Sequence, residues 1–93
     1  MITAIVLIDT DAARIPEVAQ TISDVPGVSE VYSVTGDVDL IAVVRVRAHE
    51  DLADVIANHV SKVDGVLRTQ TYIAFTTYSK HDLEAAFAIG LED

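Results

Sequence analysis

Cysteine and tryptophan are both absent from this 93-residue chain. Without thiols there is no disulfide staple, no thiolate nucleophile and no sulfur ligand for a metal, and the expected compartment is the reducing cytoplasm. Aromatics are scarce, with three Tyr and two Phe, which leaves no platform on which successive bases could stack. Basic residues number six against fifteen acids, a formal net charge of −9. Arg14, Arg45, Arg47, Lys62, Arg68 and Lys80 are scattered along the chain. Nucleic-acid affinity comes largely from clustered cations neutralising phosphates, so direct binding to DNA or RNA is not expected. No apolar run approaches the roughly 20 residues that span a bilayer, and Met1-Ile2-Thr3-Ala4 lacks the basic stretch that opens a signal peptide. His49 and His59 stand too far apart on one predicted helix to share a metal, and His81 lies further on. Ser23, Ser33 and Ser61 have no evident His–Asp pairing, and there is no Gly-rich phosphate loop. No metal or cofactor is expected.

What is present is a repeat. Shifted by 38 positions, residues 2–36 fall on residues 40–74, so that Ile2-Thr3-Ala4-Ile5-Val6 meets Leu40-Ile41-Ala42-Val43-Val44. Likewise Ile22-Ser23-Asp24-Val25-Pro26-Gly27-Val28 meets Val60-Ser61-Lys62-Val63-Asp64-Gly65-Val66. Each copy reads as strand, amphipathic helix, Gly turn and strand. Two copies in tandem predict an α+β, ferredoxin-like βαββαβ fold, a four-stranded antiparallel sheet with both helices on one face. A chain of 93 residues has room for one domain, taken as residues 1–93.

The predicted elements follow from spacing and punctuation. Strands are expected at 2–9, 28–35, 39–47 and 67–78. Thr10 and Asp11 offer caps to the first helix, whose apolar face is Ile15, Val18, Ala19, Ile22 and Val25. Pro16 fits its first turn, and Pro26-Gly27 ends it. The second helix starts near His49, presents Leu52, Val55, Ile56, Val60 and Val63, and stops at Gly65. A short helix is expected between Lys80 and Leu91, with Leu83, Phe87 and Leu91 inward.

An exposed sheet face should turn polar on every second residue. Here it does not: Ala4, Val6 and Ile8 point one way and Ile5 and Leu7 the other, while Leu40, Ala42 and Val44 oppose Ile41 and Val43. Burying each large aliphatic is worth about 1.5–3 kcal/mol, so four left bare rival the roughly 5–15 kcal/mol stability of a whole domain. Such a patch marks an interface, and a sheet-to-sheet or edge-sharing dimer is expected.

The second and third strands are joined by Val34-Thr35-Gly36-Asp37-Val38-Asp39-Leu40. This is a hairpin turn, with Gly36 free to take positive φ. It also sets two carboxylates one residue apart beside backbone donors, a corner able to hold the ammonium and the carboxylate of an α-amino acid. That segment, together with Gly65-Val66 and Thr69-Gln70-Thr71-Tyr72-Ile73-Ala74, resembles the effector (RAM) domain of the Lrp/AsnC family of transcription regulators over residues 2–78. It departs at Val38, where that family usually has an aromatic. The resemblance implies a small amino acid or related metabolite as effector, and homodimers with paired sheets in a dimeric α/β-barrel-like arrangement. It further implies rings of dimers, typically octamers, with ligand at the contacts. The implied ligand-binding residues are Tyr32, Val34, Thr35, Gly36, Asp37, Asp39, Thr71, Tyr72, Ile73 and Ala74. Asp37 or Asp39 would meet the ligand amine, or Asp39 would brace the turn. No helix-turn-helix precedes Met1, so the expectation is a stand-alone form that acts through a partner such as a full-length regulator of the family, without touching DNA.

The competing reading is a small dimeric α/β-barrel enzyme of monooxygenase or isomerase type. It would need a buried acid, base or cofactor grip, whereas the strands supply mostly aliphatics, with Arg45, Tyr72 and the Thr residues as polar options.

Overall fold

In the computed structural model, which describes residues 1–80, the two repeats become β1 (Ile2–Thr10), α1 (Ile15–Ser23) and β2 (Val28–Ser33), then β3 (Leu40–Val46), α2 (His49–Ala53) and β4 (Val66–Ile73). The sheet order is β2-β3-β1-β4, with every neighbouring pair antiparallel. This is the ferredoxin-like arrangement. Ala4, Val6, Ile8, Leu40, Ala42 and Val44 are wholly buried on the helix side, together with Ile22 and Val60 and nearly all of Val18. No helix among the described residues is long and apolar enough to cross a membrane.

The two halves share a pattern but start their helices differently. Asp11 accepts a hydrogen bond from Ala13 N at 3.0 Å and opens a 3-10 turn, Ala12–Arg14, before α1. The matching position in the second half is His49, where no side chain caps α2. There the helix continues as a π-wound segment, Asp54–His59, and a 3-10 turn, Val60–Lys62. The wider winding brings the fifth residue along into line with the first. Asp54 accordingly collects Asn58 Nδ2 at 2.8 Å and His59 Nε2 at 3.5 Å. The expected single helix is thus broken into three windings by an uncapped start.

Two expected strand ends are shorter than periodicity suggested. The second strand stops at Ser33, where the hairpin begins, and the fourth stops at Ile73 rather than Tyr78. Its ladder with β1 is exhausted there: Ala74 N donates to Thr3 O at 2.9 Å, and β1 begins at Ile2. The short helix expected over 80–91 lies, beyond Lys80, outside the described residues.

A glycine after each helix locks the halves together. Gly27 O accepts from Arg45 N and Gly65 O from Asp11 N, each carbonyl reaching into the other repeat. A Cβ on Gly27 would stand 2.9 Å from Val55 Cγ2, and one on Gly65 only 2.6 Å from Val18 Cγ2. Arg14 and Asp64 close the second joint at 2.6 Å. The guanidinium donates to the Asp64 carboxyl and holds it below its ordinary range, although so exposed a pair contributes little to stability.

Gly65→Ala therefore combines a left-handed backbone, at roughly 1–2 kcal/mol, with overpacking against Val18, at roughly 1–3 kcal/mol. Urea unfolding should show a loss of about 2–4 kcal/mol. Gly36→Ala carries the backbone penalty alone, since nothing lies within 4 Å of its added Cβ. Equal losses at the two positions would show that the helix packing is not the constraint.

Candidate functional site

The hairpin between β2 and β3 is closed by Val34 N donating to Asp39 O at 3.1 Å. Gly36 turns it with φ of +122° in open space, so glycine is required for backbone conformation and not for clearance. Asp39 fastens this turn to the end of β1. Its N donates to Ile8 O at 3.0 Å, and its Oδ2 accepts from Thr10 N at 2.9 Å. Asp37 is exposed and makes no hydrogen bond or ion pair with the described residues. The two carboxylates expected at this corner are therefore unequal: one is spent on the fold, the other is available. The Thr10 hydroxyl beside them is buried with no hydrogen-bond partner among the described residues.

Tyr32 stands at the end of β2 on the sheet face that the helices leave bare. Its hydroxyl donates to Glu30 Oε2 at 2.7 Å, and Glu30 Oε1 lies 3.7 Å from Arg45 Nη1. The bond to Glu30, then partial desolvation, then the carboxylate's charge hold the phenol's proton more tightly than usual. On β4, Tyr72 shares that bare face, paired with Ile5, while Thr71 and Ile73 alternate to the helix side. Ala74 closes the ladder.

Across the sheet, Glu30, Val43, Ile5 and Tyr72 form one row, and Tyr32, Ile41, Leu7 and Gln70 the next. The bare face thus has an aliphatic centre of Ile5, Leu7, Ile41 and Val43 between two tyrosines. Its charged groups within the strands are Glu30 with Arg45 and Asp9 with Arg68, the latter pair at 2.9 Å. Two acids against two bases leave this face neutral in a chain of net charge −9.

The predicted ligand residues fall into two groups that one protomer does not bring together. Tyr32, Val34, Thr35, Gly36, Asp37 and Asp39 belong to the β2 edge, and Thr71, Tyr72, Ile73 and Ala74 to the β4 edge. Three strand spacings separate these edges, about 14 Å. The groups also sit at opposite ends of the strands, since the turn adjoins the end of β1 and Ala74 its start. No pocket lies among the described residues, nor does any group of three or more His, Asp or Glu that could hold a metal. The Tyr32–Glu30 pair was legible as two residues apart on one strand face, whereas Asp9–Arg68 and Thr10–Asp39 depend on pairings that only the folded sheet reveals.

The model of the Lrp/AsnC ligand binding domain matches residues 3–83. The HTH-type transcriptional regulator LrpA of Pyrococcus horikoshii is 39% identical over 61 residues, 66% of this chain and 43% of that protein. The chain spans about half, or less, of the length of such curated relatives. The crystal structure of TTHA0845 from Thermus thermophilus superposes with a TM-score of 0.81 at 44% identity, covering 86% of this chain and all of that one. A feast or famine regulatory protein from M. tuberculosis, complexed with L-methionine, matches with a TM-score of 0.71 at 26% identity over 86% of this chain and 54% of its own.

Replacing Asp39 with Ala removes a charge-assisted hydrogen bond, worth roughly 1.5–3 kcal/mol, and thermal or urea denaturation should register a loss of that order. Asp37→Ala should stay within about 0.5 kcal/mol, as exposed substitutions do. The reverse ranking would mean that Asp39 is not the brace.

Proposed function

This chain belongs to the Lrp/AsnC ligand-binding domain family, and from that premise we propose that it senses a small amino acid or related metabolite held between copies of itself. The observation that carries this reading is the split site: its two groups occupy opposite corners of one sheet, and the described residues of a single protomer form no pocket. A second copy is what can bring one group to the other.

In this reading the bare, neutral face of Ile5, Leu7, Ile41 and Val43 pairs with its counterpart in a homodimer. Neutrality matters because two chains of −9 repel wherever acids meet. Asp37 receives the ligand ammonium, while backbone N–H groups near Gly36 face the ligand carboxylate. Asp39 keeps the turn rigid, so little ordering cost falls on binding. Tyr32, Val34 and Thr35, with Thr71, Tyr72, Ile73 and Ala74, line the remainder. Dimers assemble further into rings, and the ligand shifts that assembly by its differential affinity for the two states.

The output is transcriptional and indirect. The domain's charge gives it no grip on phosphates, so it acts through a partner carrying a DNA reader, a full-length regulator of the same family, in the cytoplasm. Regulation also fits better than catalysis: the relatives are named as transcriptional regulators, and the bare face offers aliphatics and paired charges rather than an isolated acid or base. The complex of the M. tuberculosis relative makes L-methionine the first amino acid to try.

Calorimetry against the common amino acids should find one that binds, and a saturating excess should raise the melting temperature by several degrees. Asp37→Ala should weaken that affinity about 10–100-fold while light scattering reports an unchanged assembly. Undiminished affinity would remove Asp37 from the site. Separately, Ile5→Asp should leave a folded protomer. If it assembles as the parent does, the bare face is not the contact.

A further inference from the structure

Residues 69–79 contain no charged side chain. After Ile73 the chain runs on without helix or ladder, and Phe75 is 99% and Tyr78 89% exposed. Upstream, the outer side of β4 is a free edge. Edges of this length are ordinarily guarded by lysine, proline or a bulge that turns them away. Here the one charged residue between Val66 and Tyr78 is Arg68, already held by Asp9. A neutral, aromatic, β-prone edge left bare would pair with any strand it met. The other free edge of the sheet is β2, six residues long and unpaired on its outer side.

We propose that residues 74–78 are an exchanged arm, which adds antiparallel to the β2 edge of a second copy and brings Phe75 to the ligand site as a further lining residue. This rests on the two-copy reading above and gives that dimer its register. Suppose two four-stranded sheets close into an eight-stranded barrel about a dyad along the barrel axis, bare faces inward. Each β4 then meets the other copy's β2, and the two run antiparallel, because β2 runs with β1 and β4 against it. An eight-stranded barrel with a shear of about 8 staggers its strands by about four residues over half its circumference.

Within one sheet Gln70 lies in the row of Tyr32. The right-handed coil of the strands moves the residue facing Gln70 to position 36 of the second copy. Antiparallel pairing continues from there, with Tyr72 opposite Val34, Ala74 opposite Tyr32, Thr76 opposite Glu30 and Tyr78 opposite Val28 of the second copy. The arm therefore spans β2 from end to end. Thr71–Ala74 arrive beside Tyr32–Thr35, which unites the two groups of site residues. Phe75 and Thr77 fall on the helix side, opposite Val31 and Ser29 of the second copy. The identical exchange in the other direction leaves no free edge.

The absence of cysteine makes the test direct. Two double variants of the full chain, Ser29→Cys with Thr77→Cys and Val31→Cys with Phe75→Cys, would be oxidised and run without reductant, beside light scattering of each reduced sample. The expected result is a covalent dimer from at least one pair and none from the single variants. A link within one chain, or no link from either pair while the reduced protein has twice the protomer mass, overturns the arm and leaves the dimer standing. A parent protein of single-protomer mass at high concentration overturns the two-copy reading itself.

Discussion

Strands β1 and β3 carry aliphatic side chains on both faces, and the fold has helices to cover only one of them. On the helix side Ala4, Val6, Ile8, Leu40, Ala42 and Val44 lose all contact with water. On the other side Leu7, Ile41 and Val43 are only half-buried and Ile5 keeps 39% of its surface exposed. A domain of this size buries only about 60% of its unfolded surface, so a second cover for the sheet is a large fraction of its stability. Placing that cover also decides where the ligand groups meet and which edges remain free.

Charge is arranged around the same constraint. Within the strands of the bare face each acid has its base, Glu30 with Arg45 and Asp9 with Arg68. The unbalanced acids lie elsewhere, among them Glu17, Asp24, Glu50, Asp51 and Asp54, all exposed on the helical layer and its ends. A neutral contact surface on an otherwise anionic body allows one mode of approach and discourages the rest. The same distribution keeps the helical layer away from phosphate backbones.

Most of the fold was written in the repeat, because a 38-residue self-similarity with one Gly turn per copy leaves little choice of topology. The two-sided hydrophobicity of β1 and β3 was equally plain, since strand alternation is local. What sequence could not supply was pairing register. The roles of Asp37 and Asp39 looked interchangeable until Thr10 N was found on Asp39 Oδ2. The end of β4 was misjudged for a similar reason. Residues 74–78 have the composition of a strand, but β1 has no residues left to pair with them. The broken second helix escaped because its apolar spacing is indifferent to π winding, which the missing cap and the Asp54 contacts explain.

A site divided between copies couples ligand to assembly by necessity. An amino acid that prefers the assembled state tenfold stabilises it by about 1.4 kcal/mol per site, and assembly raises the affinity for that amino acid by the same factor. The response of such a domain depends on its own concentration as well as on the metabolite's. Mixed assemblies add a further term: any partner presenting a compatible bare face and edge competes for the same contacts. If that partner carries the DNA reader, the ligand then changes which partner is chosen without either molecule changing its fold.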